Sequence, residues 1–145
     1  MSDIRRILVV SWMTQYCKKS IHYAVSLADK FGAELDVIHI VNTLWFQGWN
    51  LPMISVMEER KKDLEKLKRE LDNIIDHEKK KGMTIRDFVR EGDPVEIILK
   101  MIKDENIDLV VLRAHEEGRA DRFLVGGSND AVIRRMPCPI LLVKD

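Results

Sequence analysis

Apolar residues fall into short runs separated by polar stretches with helical spacing. Ile4 to Val10 carries the continuous run Ile7-Leu8-Val9-Val10, the mark of a strand buried on both faces. A polar bend with Thr14 and Gln15 follows. Then Ile21, Ala24, Val25, Ala28 and Phe31 recur at the spacing of one helix face, and Gly32 stops that helix. Glu34 to Val41 predicts a second strand, and the long connection Asn42 to Met53 has the length of a loop with a task. From Ile54 to Lys81 the stripe Leu64, Leu67, Leu71, Ile74 and Ile75 predicts a long helix. Its charges read as a solvated face laced with pairs such as Glu58 and Lys62. Gly82 ends it, and Thr84 to Arg90 predicts a third strand. Asp93 and Pro94 are the cap and first position of a helix facing inward with Val95, Ile98, Leu99 and Ile102. Asp108 to Leu112 is a fourth strand, followed by a polar loop from Arg113 to Arg122. Asn129 to Met136 is a last helix, and Pro137-Cys138-Pro139 feeds the strand Ile140 to Val143.

Strict alternation of strand and helix, with strands apolar on both faces, predicts one α/β domain over 1–145. Its core is a five-stranded parallel sheet with helices on both sides. Right-handed crossovers leave few strand orders, and 3-2-1-4-5 is the one expected. Ligands of such sheets lie beyond the carboxyl ends of the strands where the order reverses, here between the first and fourth strands. Attention therefore falls on Ser11 to Cys17 and on Arg113 to Ser128.

Composition narrows the function classes. Of the 145 residues, 46% are apolar, enough for a contiguous core. Lys plus Arg equals Asp plus Glu at 24 each, so no charge excess draws the chain to nucleic acid or an anionic membrane. No apolar run approaches the roughly 20 residues that span a bilayer. The segment Met1 to Arg6 leads straight into a strand without a signal-peptide pattern, and the expected compartment is the cytoplasm. Cys17 and Cys138 form no CxxC, and His22, His39, His77 and His115 have no metal-ligand spacing, so no metal site is expected. His39, inside a strand, reads as a hydrogen-bonded core residue. No Ser-His-Asp spacing or carboxylate pair stands out, and an enzyme is not the expectation.

The joint order of several pieces resembles the universal stress protein family. They are Ile7-Leu8-Val9-Val10, Val37-Ile38-His39-Ile40-Val41, Glu91-Gly92-Asp93-Pro94-Val95-Glu96-Ile97-Ile98, Ile107-Asp108-Leu109-Val110-Val111 and Pro137-Cys138-Pro139-Ile140-Leu141-Leu142-Val143. The resemblance implies the adenine nucleotide alpha hydrolase-like fold. Nucleotide-binding members share a loop of the form G-x-x-G, nine residues, G, then Ser or Thr, in which glycines let backbone approach phosphate. On that pattern Arg113 takes the first glycine, Glu116 the second and Gly126 the third, while Gly127 takes the Ser/Thr position with Ser128 after it. His115 falls where the family often has His or Arg. Trp12, preceded by Ser11, stands where ATP-binding members carry Asp, and an indole offers only a donor.

The register is intact and the residue types are changed, so the resemblance implies a degenerate nucleotide site. Its candidates are Ser11, Trp12, Ile40, Arg113, His115, Gly126, Gly127, Ser128 and Asn129. Two function classes follow. One is a non-enzymatic stress-response module with no cofactor, paired as a homodimer through Ile140, Leu141, Leu142 and Val143, an apolar edge strand. The aromatic cluster Trp45, Phe46 and Trp49 would serve a protein partner or cover the pocket. The other is an ATP or AMP binder, with Mg²⁺, or a slow ATPase, using the Gly126-Gly127-Ser128 turn. In the first, Arg113 pairs with Glu116 or Glu117 and closes the pocket internally; in the second, Mg²⁺ or Arg113, Arg119 and Arg122 offset those two carboxylates.

Overall fold

A computed structural model describes residues 3–12, 18–41, 53–79, 82–114 and 132–144, with backbone alone for Trp12 and residues 53–60. Along the chain run β1 (Arg6–Trp12), α1 (Lys18–Phe31), β2 (Glu34–Val41), α2 (Met53–Glu78), β3 (Ile85–Glu91), α3 (Pro94–Asp104), β4 (Leu109–Arg113) and β5 (Ile140–Val143). The strands form one sheet in the order β3-β2-β1-β4-β5, and every pairing is parallel. The order and class expected from the alternation are those observed.

Strand alternation divides the core into two layers. Ile7 and Val9 of β1, Leu35 and Val37 of β2, and Leu109 and Val111 of β4 meet Ile21, Ala24, Val25 and Ala28 of α1 and Leu71 and Ile75 of α2. The residues between them, Leu8, Val10, Ile38, Ile40, Val110 and Leu112, meet Ile98 and Ile102 of α3 and Val132 of the helical residues 132–135. β1 is covered on both sides, which is why Ile7 to Val10 reads as an unbroken apolar run; β2 is covered likewise but carries Asp36 and His39 within it.

Local chemistry sets the element ends. The Asp93 side chain accepts a hydrogen bond from the Val95 N–H at 3.0 Å, and Pro94 needs no donor at the first helical position. Gly32, at φ 64, lets the chain leave α1 while the Ala33 N–H reaches the Ala28 carbonyl at 2.9 Å.

Several boundaries differ from the sequence expectation. β1 runs to Trp12 rather than Val10, because β2 offers partners as far as Ile40. Ser11 and Trp12 are thus strand residues, not part of a bend. β4 likewise keeps Arg113, which pairs with Val143, so Arg113 is not in a loop. α2 ends at Glu78, before Gly82, and begins at Met53. Phe31 has helical spacing but is 52% exposed. It ends α1 at the amino edge of the sheet, where β1 and β2 start with Arg6 and Glu34 and offer no apolar cover. Of the expected last helix, 132–135 is helical and the part before it lies outside the described residues.

Candidate functional site

The strand order reverses between β1 and β4, and the candidate site is the carboxyl end of these strands with β2 beside them. Four of the candidate residues lie there in described structure. Ser11 and Trp12 close β1 and pair in register with His39 and Ile40 of β2, and Arg113 closes β4. Ser11 and His39 are fully buried, and the Ser11 Oγ lies 2.8 Å from His39 Nδ1. A hydroxyl and an imidazole can each donate or accept, so the bond satisfies two polar groups that would be costly alone in this interior. His39 is the hydrogen-bonded core histidine expected from sequence. Ile40, buried on the opposite face, belongs to the α3 layer. The bond from the Ala114 N–H to the Val143 carbonyl, 2.8 Å, holds the chain beside β5 past the end of β4.

The structure brings Ser11, Trp12, Ile40 and Arg113 to one end of the sheet. His115, Gly126, Gly127, Ser128 and Asn129 lie outside the described residues, as do Glu116, Glu117, Cys17 and the aromatic cluster Trp45 to Trp49. Ile140 to Val143 form the edge strand β5, with Leu142 46% exposed and Val143 buried. Cys138 is half-buried, and burial, with the nearby Asp108 carboxylate, pushes its thiol above the ordinary value. That shift favours the inert thiol, as its packing role requires. Among the described residues no helix is long and apolar enough to cross a membrane.

The opposite end of the sheet holds a charge network that sequence reasoning missed. Asp36 sits inside β2 with its side chain 3% exposed. Arg86 of β3, its neighbour in register, donates from Nε at 3.0 Å and from Nη2 at 2.9 Å. The same Nη2 reaches Glu105 at 2.6 Å, Glu105 bonds Arg6 of β1 at 3.3 Å, and Arg6 bonds Glu34 at 2.9 Å. Asp108 accepts from the backbone N–H groups of Arg5 at 2.9 Å and Arg6 at 3.0 Å. Burial holds the Asp36 carboxyl above its usual range, and the Arg86 hydrogen bonds and charge offset this only in part. The signal available in the sequence was a carboxylate set in an otherwise apolar strand, which demands a cation nearby.

The family model of the universal stress proteins matches residues 3–144. The chain belongs to the universal stress protein family. A universal stress protein of Methanocaldococcus jannaschii, MJ0577, is 30% identical over 90 residues, which is 62% of this chain and 51% of that relative. The solved structure of MJ0577 superposes with a TM-score of 0.73 at 22% identity, covering 99% of this family member and 98% of the other chain. A universal stress protein solved in complex with cAMP gives a TM-score of 0.68 at 16% identity, covering 99% and 98%. One from Archaeoglobus fulgidus in complex with dAMP gives 0.60 at 18%, covering 97% and 98%. At these identities the superpositions establish the fold, in agreement with the strand order.

Proposed function

We propose that this universal stress protein is a non-enzymatic regulatory module of the stress response, a single domain over 1–145 acting in the cytoplasm as a homodimer joined through β5. The observation that carries the reading is the contrast between the two edges of the sheet. β3 presents Arg86, Asp87, Arg90 and Glu91, charges of the kind that keep an edge from pairing. β5 is Ile-Leu-Leu-Val, with Leu142 exposed and no charge along it. An apolar edge that can meet its own copy about a two-fold axis favours an isologous dimer. The aromatic cluster Trp45 to Trp49 suits a protein partner. Light scattering at micromolar concentration tests the pairing: the expected mass is twice the 16.9 kDa chain, and Leu142→Lys shifts it to the monomer. A monomeric native protein overturns the reading.

A second reading, an adenine-nucleotide binder or slow ATPase, is supported by one specific observation. The polar residues Ser11, His39 and Arg113 gather where ligands of such sheets lie, and two proteins of the same fold were solved with cAMP and dAMP. In the module reading no cofactor is needed; in this one ATP or AMP, with Mg²⁺, occupies the site. Nucleotide released on denaturing the purified protein favours the second reading, and a turnover assay with ATP then separates binder from ATPase.

A further inference from the structure

The flank of α1 turned away from α2 carries an apolar ridge that the core does not use up. Tyr23, Leu27 and Phe31 recur at i, i+4 and i+8, so they line one side of the helix over about 12 Å. Tyr23 is 47% exposed and Phe31 52%, and Leu27 between them is half-buried against the core. The α2 flank is fixed by His22, whose Nδ1 lies 2.9 Å from Glu78 Oε2. Asp29, about two turns further on, shares that flank, so the one acid of α1 stands away from the ridge. Two lysines border the ridge instead: Lys19 precedes Tyr23 by one turn, and Lys30 follows Leu27 by one turn. Both are exposed, and along the helix they stand about 17 Å apart. Neither has an ion-pair or hydrogen-bond partner among the described residues.

We propose that this ridge is a docking surface for an acidic amphipathic helix of a partner protein, laid along α1. Its apolar side chains cover Tyr23, Leu27 and Phe31, and its carboxylates meet Lys19 and Lys30. The surface uses neither the edge of β5 nor the carboxyl ends of the strands, so it stands apart from both readings above. Exposed aromatic side chains rimmed by charge are the usual anchors of a protein contact. The backbone of α1 is hydrogen-bonded within the helix and offers no ladder to an extended peptide, whereas an i, i+4 ridge fits the groove of a second helix. Charge then selects among occupants. A second copy of this chain would set lysine against lysine, with no acid on the ridge to relieve the repulsion. An anionic lipid surface is held by clusters of about 4–8 basic side chains, and the ridge has only Lys19 and Lys30. An acidic helix neutralises both lysines while it covers the aromatic rings.

Fluorescence anisotropy of the full chain with labelled helical peptides of about 15 residues tests this. One peptide carries leucines at i, i+4 and i+8 with a glutamate toward each end; in the other, lysines replace the glutamates. At low salt the glutamate peptide is expected to bind at least about tenfold tighter, because both rim pairs turn repulsive in the lysine peptide. Lys19→Glu/Lys30→Glu reverses that order, and Tyr23→Ala/Phe31→Ala weakens the glutamate peptide by about tenfold or more. All four side chains are exposed, so the urea midpoints of these variants stay with that of the native chain. Equal affinity for the two peptides, no binding of either, or an order that the charge swap leaves in place overturns the proposal. Sedimentation of the native chain with phosphatidylcholine–phosphatidylserine vesicles, abolished by Phe31→Ala, overturns it in favour of a lipid surface. A halved mass in light scattering for Tyr23→Ala/Phe31→Ala overturns it in favour of a second copy.

Discussion

Replacing Arg86 with Ala strips Asp36 of its bidentate partner and leaves a carboxylate inside β2 with its side chain 3% exposed. Breaking a fully buried pair in this way costs about 3–5 kcal/mol, because the remaining charge has neither water nor partner. Arg86, however, is 42% exposed, so solvent already screens half of the pair and the cost is set at about 2 kcal/mol. Glu105 contributes little to the loss, since it keeps Arg6 at 3.3 Å. Urea denaturation followed by circular dichroism reads the effect: with a slope of about 2 kcal/mol/M, the midpoint falls by about 1 M at pH 7. The second arm is the double variant Arg86→Ala/Asp36→Asn. With no charge left to strand, it recovers most of the lost midpoint. Equal midpoints for the single and double variants, or a shift under about 0.2 M for Arg86→Ala, would refute the assignment of Asp36 as a buried charge held by Arg86.

Three further outcomes follow from the same packing. Asp36 has a folded-state pKa above its ordinary value of about 3.9, so the folded chain binds its proton more tightly than the unfolded one. Its contribution is complete below the unfolded value and is lost as pH rises through the folded one. Relative to Asp36→Asn, the native chain therefore gains stability as pH is lowered from 7 toward about 4, and parallel urea midpoints across that window would contradict the shift. Ile98→Ala empties a fully buried position under β1 and β4, costing about 2–5 kcal/mol and lowering Tm by about 6–15 °C in calorimetry. Asp93→Ala removes the acceptor of the Val95 N–H and costs about 1 kcal/mol by urea titration, with Asp93→Ser restoring most of it.

The elements that could be read from sequence are those whose cause is local. Glu34–Val41 and Ile140–Val143 have the bounds that the sequence pattern predicts, and the α3 cap is written in Asp93-Pro94. The misplaced ends have non-local causes. Ser11, Trp12 and Arg113 are polar or bulky residues that read as loop, yet neighbouring strands extend pairing to them. Asp36 and Arg86 lie 50 positions apart, so only the β2–β3 register joins them. The same holds at the candidate site, where the bond between Ser11 and His39 spans 28 positions and depends on the β1–β2 register.

The strand order also has a consequence for how the chain is assembled. β1 is central, and one of its neighbours, β4, follows β2 and β3 along the chain. β4 is Leu-Val-Val-Leu-Arg, and its outer side is closed by β5, from which it is separated by residues 114–139. Until that stretch has emerged from the ribosome and folded back, Val110, Val111 and Leu112 border an open apolar ladder, an edge of the kind that recruits other chains. Truncation within β5 leaves that edge permanently uncovered, and the expected product is insoluble aggregate rather than a shortened soluble domain.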